Sequence, residues 1–141
     1  MDTIRLMIVD DREEICREMS TAIDLTAASV SSPIQVVATA HDGLDAIERA
    51  DACTPDLILM DLEMPNLGGL TASQRIKAKH PNILILAFTI HDSQATRLAA
   101  TQAKMDGMIS KGTSLLKIVE VIHRCCSARN HSDNTKNRKD I

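Results

Sequence analysis

An α/β fold, a parallel sheet covered by helices on both faces, is what this chain of 141 residues predicts. Three observations carry that expectation. Five short apolar runs alternate with stretches whose apolar residues recur at helical spacing. The runs are continuous rather than alternating in polarity, as strands buried on both faces must be. Four of them end in polar residues of complementary chemistry: Asp10 and Asp11, then Asp61, Thr89, and Lys111. Parallel strands bring their C-terminal ends to one edge, the edge where open α/β sheets bind ligands.

The elements run in order along the chain. Ile4 to Val9 is apolar and β-branched, a first strand. Asp11 can cap a helix from about Arg12 to Leu25, with Ile15, Met19, Ala22 and Ile23 on one face. Ala27 to Pro33 is small, polar and proline-ended, and reads as a loop. Ile34 to Ala40 is the second strand, and His41-Asp42-Gly43 turns it into a helix reaching about Ala52. Thr54-Pro55-Asp56 breaks that helix before the third strand, Leu57 to Met60. Leu70 to Lys79 is helical and His80-Pro81 stops it; Asn82 to Phe88 is the fourth strand. Ser93 to Ala103 is a helix, Met108-Ile109 a short fifth strand, and Leu115 to Cys126 carries a last helical stripe. Residues 127–141 are rich in Asn, Ser, Lys and Arg without an apolar period, and read as a disordered tail or the start of a linker. Right-handed crossovers leave few ways to connect such units.

Composition narrows the function classes. With 44% hydrophobic and 25% charged residues the chain is globular. Phe88 is its single aromatic residue, so the core is aliphatic with Met and Ala as fillers. A net charge of -3 gives no field that draws the domain to nucleic acid, and the residues after Cys126 lack the apolar helical period a helix-turn-helix needs. No apolar stretch approaches the ~20 residues of a membrane span and no signal-peptide pattern opens the chain, so a cytoplasmic location is expected. Cys16, Cys53, Cys125 and Cys126 form no CxxC pair, and the five histidines have no ligand spacing, so reduced structural thiols are expected and no histidine-centred metal site.

The polar strand ends suit a magnesium ion and a phosphoryl group. Two adjacent acids, Asp10 and Asp11, facing Asp61 create repulsion that a divalent cation relieves, and Mg2+ takes oxygen ligands. Asp11 and Asp61 are expected as direct ligands, with Asp10 acting more through water. Asp61 is a candidate carboxylate nucleophile, Thr89 a candidate hydroxyl donor, and Lys111 a point charge able to pair with Asp61 and then with phosphate. The bland readings are a helix cap or turn acid for Asp61, a helix start for Asp10 and Asp11, an ordinary strand end for Thr89, and a solvated surface lysine.

The segments IRLMIVDD at 4–11, PDLILMDLEMPNLGG at 55–69, ILAFT at 85–89 and GMISK at 107–111 resemble the receiver domain of bacterial two-component response regulators. The resemblance spans about residues 4 to 126, taken as a receiver domain over 1–126. MPNLGGLTASQRIKAKHP followed by FTIHD is most similar to receivers of LuxR-type, helix-turn-helix regulators. It implies a flavodoxin-like, CheY-like doubly wound fold with five strands in the order 2-1-3-4-5 and five helices. It also implies phosphoryl transfer from a sensor histidine kinase or phosphotransfer protein onto Asp61, with Mg2+ held by Asp10, Asp11, Asp61 and the backbone carbonyl of Glu63. Thr89 and Lys111 would then bind the phosphoryl group. The chain would not be an enzyme beyond assisting its own phosphorylation and dephosphorylation.

Two departures from the family pattern stand out. Met108 occupies the position where the family usually has Tyr or Phe, and Ile90 follows Thr89 where a small residue is common. The lysine lacks the proline that often follows it, and the segment Thr26 to Pro33 is long. The implied output is an unknown partner protein bound near Ser93 to Cys126, with a homodimer possible. The alternative is the receiver fragment of a LuxR-type transcription factor whose DNA-binding domain is missing. Two other classes fit less well: a magnesium-dependent aspartyl phosphatase of the haloacid-dehalogenase type, for which Glu63 fits but Met64-Pro65 does not, and a phosphorylation-independent interaction domain.

Overall fold

The computed structural model describes residues 3–27 and 33–139, with side chains through Arg129. Five strands and five helices alternate: β1 (Ile4–Val9), α1 (Glu13–Ala27), β2 (Ile34–Ala40), α2 (Gly43–Cys53), β3 (Leu57–Met60), α3 (Gly69–Lys79), β4 (Leu84–Thr89), α4 (Gln94–Gln102), β5 (Gly107–Ser110) and α5 (Leu115–Lys139). The sheet is wholly parallel, in the order β2-β1-β3-β4-β5. This is the order implied by the family resemblance.

Strand periodicity divides the core in two. Leu6 and Ile8, Leu57 and Leu59, and Leu86 and Phe88 point to one face, where Cys16, Ile23, Ile118, Ile122 and Cys126 of α1 and α5 cover them. Met7 and Val9, Ile58 and Met60, and Ile85 and Ala87 point to the other, beneath Ala46, Ala50, Ala72, Ile76 and Ala100 of α2, α3 and α4. All four residues of β3 are buried, as the central strand of a doubly covered sheet requires. The small alanines of the three helices let their backbones approach the sheet closely. One irregularity interrupts the β1–β2 ladder, where Val37 is passed over between the pairs Leu6–Val36 and Met7–Ala38.

Local chemistry sets the helix ends. Asp42 caps α2 by accepting from the Asp45 amide at 2.7 Å, and Ser93 caps α4 by accepting from Thr96 at 3.1 Å. Thr54, in the left-handed region at φ 41°, closes α2. At α1 the amide of Arg12 is taken by Asp10 Oδ1 at 2.9 Å; Asp10, rather than the expected Asp11, serves the helix start. The expected loop from Ala27 to Pro33 lies almost wholly outside the described residues, its first residue being the last of α1.

The largest difference from the sequence-based expectation is at α5. Its helix was expected to stop near Cys126 and runs to Lys139. Nothing in the sequence after Gly112 forbids this, since neither Gly nor Pro occurs there. One turn beyond Cys126, the Arg129 guanidinium donates to the carbonyls of Asp56 and Asn82 at 3.3 and 3.1 Å. Those carbonyls lie just before β3 and β4, at the N-terminal edge of the sheet.

Candidate functional site

The opposite, C-terminal edge of the sheet collects the polar strand ends. Asp10 follows β1, Asp61 follows β3, Thr89 ends β4, and Lys111 follows β5. Backbone hydrogen bonds carry the sheet pairing into the site. Asp10 N donates to Ala40 O at 3.0 Å, Asp61 N to Val9 O at 2.9 Å, and Lys111 N to Thr89 O at 2.9 Å. Each side chain is therefore held by a strand rather than by a free loop.

The carboxylates of Asp10, Asp11 and Asp61 converge, each with an oxygen within 4.8 Å of the others. Asp10 and Asp61 are buried and Asp11 is exposed, so two acids line the floor and one the rim. Lys111 Nζ lies 2.7 Å from Asp10 Oδ2 and 3.5 Å from Asp61 Oδ2. Its pairing with Asp61 was expected; the closer contact with Asp10 was not. The same ammonium stands 5.8 Å from the centroid of Phe88, the one aromatic ring, a cation–π approach.

Burial holds the Asp61 carboxyl above its ordinary range, the Lys111 charge opposes this, and the neighbouring Asp10 charge adds to it. Lys111 contacts Asp10 and Asp61, and the exposed Arg12 feels the charges of Asp10 and Asp11, so two cations face three acids and the cluster is under-neutralised. Its donors are oxygens without a histidine or cysteine among them, which fits a hard divalent cation and not a soft one.

Glu63 and Thr89, the other residues expected from the sequence, make contacts of their own. Glu63 follows the acid directly into its loop, its amide donating to Asp61 Oδ1 at 3.2 Å. Thr89 is buried, and its Oγ1 accepts from the His91 amide at 3.0 Å, which ties the hydroxyl to the loop that leads into α4. Ile90, the next residue, is 69% exposed and lies outside the core. Met108 borders a cleft of about 100 Å³ with Arg97, Ala100, Thr101 and Met105, the space between α4 and β5.

The loop that follows Asp61 has a constraint of its own. A Cβ on Gly69 would run into the carbonyl oxygen of Asp61, so α3 begins in direct contact with the Asp61 backbone. From sequence, His41-Asp42-Gly43 is only a turn. Yet His41 Nδ1 lies 3.3 Å from the carbonyl oxygen of Asp10, and no periodicity or motif signals that contact.

The model of the response regulator receiver domain matches residues 6–123. The chain belongs to the response regulator receiver family. This receiver is 37% identical over 123 residues to the response regulator protein VraR of Staphylococcus saprophyticus, a match covering 86% of this chain and 56% of that protein. It is 32% identical over 119 residues to the response regulator GacA of Pseudomonas viridiflava, covering 84% of this chain and 53% of that one. Among solved structures, a LuxR-family two-component response regulator from Aurantimonas superposes with a TM-score of 0.80 at 30% identity, covering 90% of this chain and 87% of that chain. The receiver spans about half the length of the curated relatives it matches. Among the described residues, no helix is long and apolar enough to cross a membrane.

Proposed function

We propose that this receiver accepts a phosphoryl group on Asp61 from the phosphohistidine of a sensor kinase or phosphotransfer protein, and that the modification changes a protein-binding surface. The observation that carries this reading is the buried Asp61 carboxylate with a lysine ammonium at 3.5 Å and two further carboxylates within 4.8 Å. In the transfer, an Asp61 oxygen forms a bond to phosphorus as the bond from phosphorus to imidazole nitrogen breaks. The imidazole leaves with the electron pair and the aspartate becomes an acyl phosphate.

Asp10, Asp11, Asp61 and the Glu63 carbonyl are the proposed holders of Mg2+. Bound there, the ion would supply positive charge that offsets the repulsion between an anionic donor and an anionic acceptor. Lys111 neutralises part of the acid cluster before transfer and is placed to pair with a phosphoryl oxygen afterwards. The Thr89 hydroxyl oxygen already accepts from His91, so its proton is the part left to donate to that phosphoryl group. Such a donation would draw residues 90–93 toward the site, and Asp92 is bound to Arg97 of α4 at 2.7 and 2.9 Å. Displacement of the loop is thereby passed to the α4–β5 face near Met108.

This is a switch rather than an enzyme acting on other molecules, working in the cytoplasm with a kinase and an output protein, or with a second copy of itself. One observation favours the more specific reading of a LuxR-type regulator's receiver portion: the match covers only 56% of VraR and 53% of GacA, so both are longer than this chain. Residues 1–126 are then the switch and 127–141 the start of a connection to an output domain. Incubation with a phosphorylated histidine kinase should label the wild-type chain in the presence of Mg2+ and leave Asp61→Asn unlabelled. Equal labelling of the two would refute the acceptor assignment.

A further inference from the structure

We propose that the turn His41-Asp42-Gly43, between β2 and α2, is a positioning element for the metal site, bracing the two segments that carry its ligands. The inference rests on the reading of Asp10, Asp11, Asp61 and Glu63 as the Mg2+ holders, and it assigns a role to residues that touch none of those carboxylates.

Three contacts make the brace. His41 Nδ1 lies 3.3 Å from the carbonyl oxygen of Asp10, at the end of β1. The Gly43 amide donates to the carbonyl of Leu67 at 3.0 Å, and Asn66 Nδ2 donates to Asp42 Oδ2 at 3.3 Å. One three-residue turn therefore holds the acid-bearing end of β1 on one side. On the other it holds the loop between β3 and α3, which carries Glu63.

That loop needs holding. Asn66 sits at φ 55° and Leu67 at φ 106°. Asn tolerates the left-handed region, whereas a branched, bulky residue at such an angle is a strained conformation that persists only where its surroundings fix it. The Leu67 carbonyl is fixed by the Gly43 amide, and a Cβ on Gly43 would collide with that same oxygen. At its other end the loop is closed by the Gly69 amide on Leu62 O at 3.2 Å and by the contact of Gly69 with the Asp61 carbonyl. Glu63 lies between these two clamps. Its carbonyl direction depends on the whole loop, and releasing the Asp42 end lets the loop relax away from the acid pair. Metal ligands are commonly oriented by such outer hydrogen bonds, whose loss weakens the ion while leaving every ligand present.

The experiment is calorimetric titration of the chain with MgCl2. Asn66→Gly removes the donor to Asp42 while suiting the backbone angle, and Gly43→Ala forces Leu67 aside. The expected result is Mg2+ binding weakened about tenfold in Asn66→Gly, the low end for an outer-shell partner, and by more in Gly43→Ala. Circular dichroism keeps the comparison to protein folded at the assay temperature, where global stability does not enter the dissociation constant. If Gly43→Ala does not fold, Asn66→Gly decides alone. Equal affinity in wild type and Asn66→Gly overturns the brace while the metal reading stands, even if the unfolding midpoint moves. Wild-type protein that takes up no Mg2+ overturns the metal reading and the brace with it.

Discussion

Replacing Asp61 by Asn should stabilise the metal-free protein, and the distances around the carboxylate give the size of the effect. At an effective dielectric of about 20, the Lys111 ammonium at 3.5 Å attracts Asp61 by about 5 kcal/mol. An Asp10 oxygen no farther than 4.8 Å repels it by at least about 3.5 kcal/mol in the same medium. Asp11 adds a smaller repulsion because it is exposed. The Coulomb terms therefore nearly cancel, and burial decides the sign, in the same direction as the raised Asp61 pKa. Asn keeps the volume and can still accept from the Glu63 amide. A net gain of about 1–3 kcal/mol is expected for the variant, in the range seen when buried charges are replaced by neutral groups. In a domain of this size that corresponds to an unfolding midpoint higher by roughly 3–10 °C. The pH dependence has a definite sign. A carboxyl whose folded pKa is raised costs nothing while protonated in both states, below the ordinary carboxylate range. Its penalty grows as pH rises from that range through the raised folded value, and is complete above it. Wild-type protein in EDTA should thus lose stability across that window relative to Asp61→Asn. Mg2+ at about 1,000 times its dissociation constant should reverse the order, since that adds about 4.1 kcal/mol to the form that binds it. Urea unfolding in EDTA, with and without Mg2+, at acid and neutral pH measures all of this. If metal-free Asp61→Asn is less stable than wild type at neutral pH, the account of an under-neutralised acid cluster is wrong.

The buried thiols and Arg129 give two further expected outcomes. Burial pushes the Cys16 and Cys126 thiols up to about 11, with the Asp10 charge adding to the effect at Cys16, so neither is a thiolate at neutral pH. Peptide mapping after iodoacetamide should find both unmodified in the folded protein and modified in urea; equal rates in the two states would contradict their burial. Arg129→Ala should speed amide exchange in residues 127–139 while leaving the earlier part of α5 protected. It should cost about 0.5–1.5 kcal/mol of global stability, the net worth of a typical hydrogen bond. Unchanged exchange would show that the guanidinium does not hold the end of the helix.

Why some of this was readable in the sequence and some was not has a physical basis. Parallel strands covered on both faces are largely apolar, so β1 from Leu6 to Val9, β3, and β4 up to Phe88 stood out as apolar runs, and the residues ending them were placed by the chain's topology. The acid cluster was legible for the same reason: once the strands are parallel, Asp10, Asp61, Thr89 and Lys111 have one edge to share. Contacts that depend on rotamer or on backbone bonds left no such trace. Lys111 was placed correctly, but its choice of Asp10 over Asp61 as nearer partner is a matter of a side chain reaching 2.7 Å to one and 3.5 Å to the other. The extent of α5 was missed because apolar periodicity reports only packing against a core, and among the described side chains Cys126 is the last core residue. Past Cys126 the helix is tied down by the polar side chain of Arg129, reaching carbonyls 73 and 47 residues away in sequence. The same holds for Gly43 and Leu67, joined by one backbone hydrogen bond between residues whose identities say nothing of each other. The one clue there was the glycine itself, and its reason became visible only when the Leu67 carbonyl was found where a Cβ would be. Site residues announced by charge at a strand end are therefore the legible part of this receiver. The residues that hold the loops around them act through main-chain groups, which every residue possesses and no composition reveals.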